Sequence, residues 1–277
     1  MTTVAYQGEP GAFSEKASKK LFSEDVRLQP MATFNEVFES VSCGSVRYGV
    51  IPMENSVFGS IHQNYDLLLK HRLYIVGEIG LRIELHLMSS NGVRLRDIRT
   101  VYSQQQALGQ CERFLRSLKH VKVVAFHDTA GAARMVREER RADIGAVASD
   151  MAAKCYGLKI LKRNVEDNRQ NYTRFVAVSR KQLRPGQGTK LSLVFAARNV
   201  PGSLFRSLEG FAQNRINLVK IESRPLVGKP WQYLFYVDVE GSLEEVRLRE
   251  ALNHLKQVST FCRILGTYEK ARSLYVR

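Results

Sequence analysis

The sequence predicts an α/β protein that ends in a smaller βαββαβ unit. Through about residue 180, short apolar runs alternate with amphipathic stretches, and this alternation is typical of α/β folds. After residue 190 the segments follow the order strand, helix, strand, strand, helix, strand, which is the ferredoxin-like order. Between the two parts lies an apolar-poor stretch with a Pro-Gly pair and a Gly-Gln-Gly run, at 181–189. These observations predict two domains, 1–180 and 190–277, joined by a linker.

The predicted strands of the first part are short and apolar. They are Val4–Tyr6, Tyr48–Ile51, Thr100–Tyr102, Val121–Phe126, Ile144–Ala148 and Thr173–Val178. Between them lie helical patterns, of which the clearest places Phe34, Val37, Phe38 and Val41 at the i, i+3, i+4, i+7 spacing of one helix face.

The second part is predicted to alternate in the ferredoxin-like order. Its strands are Leu191–Ala197, Asn217–Ser223, Trp231–Glu240 and Phe261–Tyr268, and its helices are Gly202–Asn214 and Leu243–Val258. Because this fold supports many functions, its order alone does not identify one.

Composition excludes several classes of protein. Hydrophobic residues make up 44% and charged residues 25% of the chain, which is ordinary for a globular protein. No run of eighteen apolar residues and no signal-peptide pattern occurs, so we predict a cytoplasmic protein without a membrane partner. The four cysteines form no CxxC pair and no metal-ligand spacing, which predicts reduced thiols.

The net charge of +15 is spread over the chain. Before Thr189 there are 28 basic and 19 acidic residues, and after it there are 14 and 8. Such a field favours anionic small molecules and could bind nucleic acid weakly, but it identifies neither.

The familiar cofactor motifs are missing. The sequence has no HExxH, no GxSxG and no P-loop, and Gly8–Gly11 lacks the remaining glycine of a dinucleotide fingerprint. Metal and nucleotide cofactors are therefore disfavoured. His62, His71 and His86 are expected at the surface or at strand edges.

Small polar residues follow four of the predicted strands, where each strand is expected to lead into a helix. The four segments are Gln7–Glu15, Pro52–Ser60, Ser103–Gln106 and His127–Ala132. In an open α/β sheet the carboxyl ends of the strands form the ligand crevice, and helix N-termini there favour anions. The alternative is that these residues are only N-caps. Four such segments together favour an anion-binding site.

A polar loop at Asn168–Tyr172 leads directly into the strand that carries Thr173 and Arg174. A charged side chain in an apolar strand is costly unless it has a partner. Arg174 could bind an anionic ligand, or it could form a structural ion pair with a carboxylate such as Glu54 or Asp128. Both possibilities stay open at this point.

At these residues the chain resembles the prephenate dehydratase family, in the bacterial monofunctional form with a C-terminal ACT domain. The stretches that carry the resemblance are Gly8–Glu15, Pro52–Ser56 with Gly59, Asp128–Ala133, Asn171–Phe175 and Glu222–Pro225.

The resemblance implies a two-lobed, periplasmic-binding-protein-like catalytic domain with prephenate in the cleft and without a metal or cofactor. Lobe one would comprise about 1–78 and 158–180, and lobe two about 79–157. The family's catalytic threonine falls on Thr173. The implied substrate-binding residues are Asn55, Ser56, Ser103, Gln106, Thr129, Ala130, Gly131, Asn171, Arg174 and Phe175.

The resemblance also implies a homodimer or homotetramer that binds L-phenylalanine as a feedback effector. The implied effector-binding residues are Gly202, Ser203, Leu204, Asn217, Leu218, Glu222, Ser223, Arg224 and Pro225. Relatives have Gly-Ala-Leu where this chain has Gly202–Leu204. They also have Ser-His-Pro-Gln where this chain has Ser103–Gln106, so we assign that turn to binding rather than to acid catalysis.

The expected activity is the decarboxylating dehydration of prephenate to phenylpyruvate in phenylalanine biosynthesis. An arogenate dehydratase or a dual-substrate cyclohexadienyl dehydratase is the alternative. A non-catalytic anion-binding module and a nucleic-acid-binding regulator are two further hypotheses. The first is opposed by the intact Thr173–Phe175 motif and the missing signal peptide, and the second by the lack of a recognisable nucleic-acid-binding motif.

Overall fold

The computed structural model describes residues 1–22, 26–183, 188–226 and 228–271, which form two compact units. The first unit comprises Met1–Ile61 and Ile79–Phe175, and the second comprises His62–Glu78 with the described part of Val176–Arg272. The domain and lobe limits given above stay predictions. Arg184–Gln187 of the predicted linker, and residues 272–277 of the predicted second domain, lie outside the described residues.

The described strands are β1 (Thr2–Gln7), β2 (Val26–Met31), β3 (Tyr48–Asn55), β4 (Gly59–Ser60), β5 (Tyr74–Arg82), β6 (His86–Ser89), β7 (Thr100–Gln104), β8 (Lys122–Phe126), β9 (Ile144–Ala148), β10 (Lys159–Lys162), β11 (Tyr172–Ser179), β12 (Lys190–Ala197), β13 (Leu218–Pro225), β14 (Tyr233–Glu240) and β15 (Ser259–Tyr268). The described α-helices are α1 (Phe13–Phe22), α2 (Phe34–Cys43), α3 (His62–Lys70), α4 (Gln105–Gly109), α5 (Glu112–Ser117), α6 (Thr129–Glu139), α7 (Asp150–Tyr156), α8 (Ser203–Gln213) and α9 (Val246–Val258). None of these helices is both long and apolar enough to cross a membrane.

Two sheets organise the first unit. One has the described strand order β2-β1-β3-β11-β5, with β4 beside β3, and β1 pairs in parallel with both β2 and β3. Strands β5 and β11 continue past the limits of this unit into the second one. The other sheet has the order β10-β6-β9-β7-β8, in which β7 is parallel to β8 and β9. The carboxyl ends of β7, β8 and β9 therefore share one edge, and α4, α6 and α7 begin there.

The second unit has the predicted βαββαβ order from β12 to β15. Its described strands follow the order β13-β14-β12-β15 and pair antiparallel. Helices α8 and α9 contribute Phe211, Leu248 and Leu252 to one buried cluster with Leu193 and Phe195 of β12. Side chains alternate between the two faces of these strands, and one face packs against the helices. This alternation explains why the order of elements could be predicted from the sequence.

Helix α2 shows how local sequence sets an element. Thr33 caps it by accepting a hydrogen bond from the Glu36 N–H, and Gly44 ends it with a left-handed backbone at φ 85°. The predicted apolar face is confirmed, because Val37, Phe38 and Val41 are fully buried.

The sequence prediction missed β2, β4, β5, β6 and β10. These strands are very short or interrupted by charged residues, proline or glycine, as in the Val26–Met31 sequence VRLQPM and the Tyr74–Arg82 sequence YIVGEIGLR. Periodicity is a weak signal in such segments, and it is pairing with neighbouring strands that orders them.

The prediction for His86 was wrong. His86 is 3% exposed and lies in β6, between β9 and β10, rather than at a surface or sheet edge. Its Nδ1 atom accepts a hydrogen bond from the Asn164 N–H at 3.0 Å. Burial lowers the pKa of His86, which favours the neutral ring that this hydrogen bond requires.

Candidate active site

The centre of the candidate site is Thr173, at the second position of β11. Thr173 is 7% exposed, and its Oγ1 atom accepts a hydrogen bond from Asn55 Nδ2 at 3.0 Å. The same Asn55 nitrogen donates to Asn171 Oδ1 at 2.8 Å. Asn55 ends β3, which neighbours β11 in the sheet. The structure thus brings together three of the predicted site residues.

Gln110 joins this cluster from the sequence between α4 and α5. Its Oε1 atom accepts a hydrogen bond from Asn171 Nδ2 at 2.8 Å, and its carbonyl oxygen accepts from the Asp167 N–H at 2.7 Å. The Asn171 carbonyl accepts from the Ile83 N–H at 2.8 Å, which fixes the backbone beside Thr173. Gln110 was not among the predicted site residues, although it lies only four residues beyond the predicted Gln106.

The expectation that Asn55 and Ser56 open a helix was wrong. Asn55 Oδ1 accepts hydrogen bonds from the N–H groups of Val57 and Phe58, at 2.9 and 3.0 Å, which forms a tight turn. The chain then returns as β4, with Asn55 paired to Gly59, whose φ of 80° suits glycine. A side-chain turn therefore replaces the helix, and α3 begins only at His62.

Ser56 fastens the beginning of β11. Its hydroxyl donates to the Gln170 carbonyl at 2.8 Å and accepts from the Tyr172 N–H at 2.9 Å, while its own N–H donates to the Tyr172 carbonyl at 2.8 Å. Because these bonds lie on either side of Asn171, Ser56 holds the backbone that presents Thr173.

Thr173 and Arg174 lie on opposite faces of β11, since successive side chains of a strand alternate. Phe175, on the Thr173 face, is 2% exposed and belongs to a buried cluster with Val4 and Val50. Arg174 is 8% exposed. A ligand that contacts both Thr173 and Arg174 must therefore reach around the end of the strand.

The predicted turn after β7 leads into a helix, as expected, because α4 begins at Gln105. Ser103 is fully buried, and its hydroxyl donates to the Val147 carbonyl of β9 at 2.5 Å. The Gln106 side chain is exposed. Ser103 therefore ties two parallel strands together at the edge where their helices begin.

The start of α6 is capped from its own sequence. Asp128 Oδ1 accepts a hydrogen bond from the Gly131 N–H at 2.6 Å, so a carboxylate already occupies this helix end. The first-turn N–H groups of Thr129 and Ala130 have no partner within the helix. A Cβ atom on Gly131 would lie 2.7 Å from His127 Nε2, so a larger residue there would displace the exposed His127 side chain.

The glycine-rich loop after β1 packs tightly against α7. A Cβ atom on Gly11 would lie 2.6 Å from the Ala152 Cα atom, and the Gly11 carbonyl accepts from the Ser149 hydroxyl at 2.6 Å. Lys16 and Asp150 form an ion pair at 2.9 Å across the same contact. Gly11 is thus explained by a close backbone approach rather than by phosphate binding.

The predicted effector residues lie in the second unit. Glu222 Oε1 is 3.0 Å from His62 Nε2, and Arg224 Nη2 donates to Asp66 Oδ2 at 2.7 Å, so β13 is bound to α3 within this unit. The remaining predicted residues lie at the start of α8, where Gly202 has a φ of 76°, at Asn217 just before β13, and along β13 itself.

Among the residues that the structure describes, no group of three or more His, Cys, Asp or Glu side chains is arranged to hold a metal ion. The four cysteines are free thiols. Burial raises the pKa of the Cys111 thiol, which keeps it protonated.

Comparison with known proteins identifies the family. The prephenate dehydratase family model matches residues 4–183. The chain is 45% identical over 281 residues to arogenate dehydratase 2 of Petunia hybrida, covering 96% of this chain and 71% of that protein. It is 39% identical over 269 residues to the bifunctional chorismate mutase/prephenate dehydratase of Aquifex aeolicus, covering 97% and 74%.

Two solved structures are similar over nearly the whole chain. Prephenate dehydratase from Arthrobacter aurescens, in complex with L-Phe, has a TM-score of 0.90 and 29% identity, covering 98% of this chain and 90% of that one. GqqA, described as a novel type of quorum quenching acylase, has a TM-score of 0.90 and 36% identity, covering 99% and 100%. Together with the family model and the two relatives, these likenesses show that the chain belongs to the prephenate dehydratase family of hydro-lyases.

Proposed function

We propose that this chain catalyses the decarboxylating dehydration of prephenate to phenylpyruvate in phenylalanine biosynthesis. In this reaction the C–O bond to the ring hydroxyl and the C–C bond to the ring carboxylate both break. The electron pair of the C–C bond completes the aromatic ring, CO₂ leaves, and the hydroxide takes a proton to become water. Aromatisation supplies the driving force, so the protein has to hold two carboxylates and assist the departing hydroxide.

The observation that carries this proposal is the hydrogen-bond direction at Thr173. Because Asn55 Nδ2 donates to Thr173 Oγ1, the hydroxyl hydrogen of Thr173 is directed elsewhere and is available to a substrate. A threonine hydroxyl is a poor acid, but a positioned donor stabilises a leaving hydroxide more than a bound alcohol. We therefore assign Thr173 to the leaving hydroxyl, with Asn55, Asn171 and Gln110 as the residues that position it.

The carboxylates of the substrate are assigned to the remaining positive groups of the predicted site. These are the first-turn N–H groups of Thr129 and Ala130, which have no partner within α6, and the buried guanidinium of Arg174. Since Asp128 already caps α6, its first turn is a weaker anion site than an uncapped helix. Arg174, near the beginning of β11, is therefore expected to contribute to carboxylate binding beside α6.

Arogenate is the second candidate substrate, because a relative called arogenate dehydratase matches 96% of this chain at 45% identity. The two substrates differ only in an amine or a keto group on the side chain, and the chemistry at Thr173 is the same for both.

The direct test is turnover of each substrate by the purified chain. Phenylpyruvate from prephenate and phenylalanine from arogenate are measured side by side, with Thr173→Ala as the matched negative control. We expect prephenate turnover that the substitution lowers at least about 100-fold. Turnover of arogenate alone would reassign the substrate. Binding of either substrate without turnover would instead favour the non-catalytic anion-binding module. DNA binding without turnover would favour the nucleic-acid-binding regulator.

We further propose that L-phenylalanine regulates this activity by binding to an ACT domain formed by the second unit, at an interface between two copies of the chain. The related structure from Arthrobacter aurescens contains L-Phe, which supports an effector of this kind. In this chain two of the predicted effector residues, Glu222 and Arg224, contact His62 and Asp66 of α3. Helix α3 begins only seven residues after Asn55. An effector that draws the Glu222 and Arg224 side chains away from α3 could therefore act on the turn that Asn55 closes.

Inhibition by L-phenylalanine tests this regulation. We expect the wild-type protein to lose activity at millimolar L-phenylalanine, and Arg224→Ala to keep its basal turnover while losing that response. Sedimentation velocity measures whether the chain is the expected dimer or tetramer. A monomer whose activity and melting temperature ignore L-phenylalanine would contradict the proposal.

A further inference from the structure

The second unit contains a cavity that the proposed reaction and the proposed effector site do not use. Its volume is about 690 Å³, within the range typical of small-molecule pockets. It is formed where the end of α3 and the start of β5 meet β15 and three residues between β13 and β14, namely Leu226, Lys229 and Gln232. The lining residues are Leu69, Arg72, Tyr74, Ala196, Leu226, Lys229, Gln232, Leu234, Thr260, Phe261 and Arg263.

The charges around this cavity have one sign. Arg72, Lys229 and Arg263 line it, and no aspartate or glutamate is among the described residues of the lining. No carboxylate of a described residue lies within ion-pair distance of these three cations, whereas cations elsewhere in the unit, such as Arg224 and Lys190, are paired. The lining is therefore complementary to an anion.

Arg263 is held in place at the wall of the cavity by neutral groups. Its guanidinium donates to the carbonyl oxygens of Leu69 and Leu73, both at 3.3 Å, and lies 5.5 Å from the centre of the Tyr74 ring. These contacts orient the guanidinium and leave its charge uncompensated. A preorganised cation of this kind binds a carboxylate at a smaller entropic cost than a free surface arginine.

Apart from Gln232 and Thr260, the rest of the lining is largely apolar. Leu69, Leu226 and Leu234 contribute aliphatic side chains, and Phe261, which is 41% exposed, contributes an aromatic ring. An exposed ring beside a cationic rim fits a ligand with an apolar body and a negatively charged end. An ammonium group would find no carboxylate here, so a free amino acid fits less well than an acid without an amine.

We propose that this cavity binds a small organic monocarboxylate with an aromatic or branched apolar group. The carboxylate lies toward Arg72, Lys229 and Arg263, and the apolar group lies against Leu234 and Phe261. This site is separate in its residues from Thr173 and from Glu222–Pro225, so its occupation and the proposed L-phenylalanine site can be tested independently.

Ligand-observed ¹⁹F NMR on the full-length protein tests the proposal, with 3-(4-fluorophenyl)propionate as the ligand and 3-(4-fluorophenyl)propanamide as its neutral counterpart. We expect the acid to bind at least about tenfold more tightly than the amide, since a charge-assisted hydrogen bond to a partly buried cation is lost with the charge. Equal binding of acid and amide, or no binding of the acid, would overturn the proposal.

Variants locate the binding. The Arg72→Met/Lys229→Met double variant removes two exposed cations while leaving Arg263 and its backbone contacts, and should weaken binding of the acid about tenfold or more. The matched Arg249→Met/Lys256→Met variant removes two exposed cations of α9 and should bind like wild type. Thr173→Ala should also bind like wild type. Loss of binding in Thr173→Ala, with the cavity double variant unaffected, would place the ligand in the active site and refute a second site.

Discussion

Each compact unit contains a buried polar cluster, and the two clusters differ in charge. In the first unit Asn55, Asn171, Gln110 and Thr173 are joined by hydrogen bonds between neutral groups. In the second unit Lys190 Nζ lies 2.9 Å from Glu78 Oε2 and 3.6 Å from Asp238 Oδ2, and all three side chains are less than a tenth exposed.

The charged cluster extends through two further residues. The Ser192 hydroxyl lies 2.5 Å from Asp238 Oδ1 and 2.6 Å from the Tyr268 hydroxyl, so strands β12, β14 and β15 all take part. Glu78 brings in β5, and it also accepts the Ala271 N–H at 3.1 Å. Buried ions tolerate little rearrangement because an unpaired charge is expensive in the interior. The charged cluster therefore fixes an arrangement of strands, whereas the neutral cluster can direct a hydroxyl toward a ligand at little desolvation cost.

A substitution in the charged cluster is expected to lower the stability of the protein more than any other change considered below. Lys190→Met leaves the carboxylates of Glu78 and Asp238 buried without their cation and should lower the free energy of unfolding by about 3–5 kcal/mol. Urea denaturation measures this value. Lys256→Met, at an exposed lysine of α9, should change it by less than about 0.5 kcal/mol. If Lys190→Met cost no more than this control, the cluster would not hold the strands together.

The next effect is on catalysis at the neutral cluster. Thr173→Ala removes the donor assigned to the leaving hydroxide and should lower kcat about 100- to 1,000-fold, with little change in KM or in the free energy of unfolding. Thr173→Ser keeps a hydroxyl and should retain kcat within about tenfold. Steady-state kinetics with prephenate measure both variants. A Thr173→Ala enzyme with more than half of the wild-type kcat would remove Thr173 from the mechanism.

A smaller effect is expected one hydrogen bond away from Thr173. Gln110→Ala leaves the buried Asn171 Nδ2 donor without its acceptor, which costs about 1–3 kcal/mol. We expect this cost to appear as a lower kcat, because Asn171 and Asn55 shift. Gln110→Glu keeps an acceptor oxygen and should recover most of the kcat. Equal losses in the two variants would show that Gln110 acts by packing or by direct substrate contact rather than by positioning Asn171.

The smallest effect concerns the pH dependence of stability. Burial holds the pKa of His86 below its usual 6.5; the Asp150 carboxylate opposes this shift, and the Arg163 cation adds to it. His86 therefore binds a proton more readily in the unfolded chain than in the folded chain. The stability that depends on a neutral His86 is complete above about pH 6.5 and is lost as the pH falls below that value.

Thermal unfolding between pH 7 and pH 5 measures this contribution. The melting temperature of His86→Gln should fall less over this interval than that of wild type, because its side chain does not titrate. His120→Gln, at an exposed histidine, should keep the wild-type slope. Equal slopes in all three proteins would exclude His86 as a source of the pH dependence.

The strands with strong apolar character, helix α2 and the βαββαβ order of the second part could all be read from the sequence. Each depends on a local pattern that burial on one face imposes. Family motifs in the sequence also predicted Thr173, Asn55 and Asn171 as site residues. Their mutual hydrogen bonds were not predictable, because they join residues more than a hundred positions apart.

The rest required the tertiary structure. It showed that Asn55 closes a side-chain turn rather than opening a helix, and that Gln110 supports Asn171. It also assembled the cation-lined cavity from α3, β5 and β15, which are distant in the chain. The physical reason is the same in each case. Sequence periodicity reports which face of an element is buried, whereas hydrogen-bond partners and cavity walls are set by elements that pairing and packing bring together.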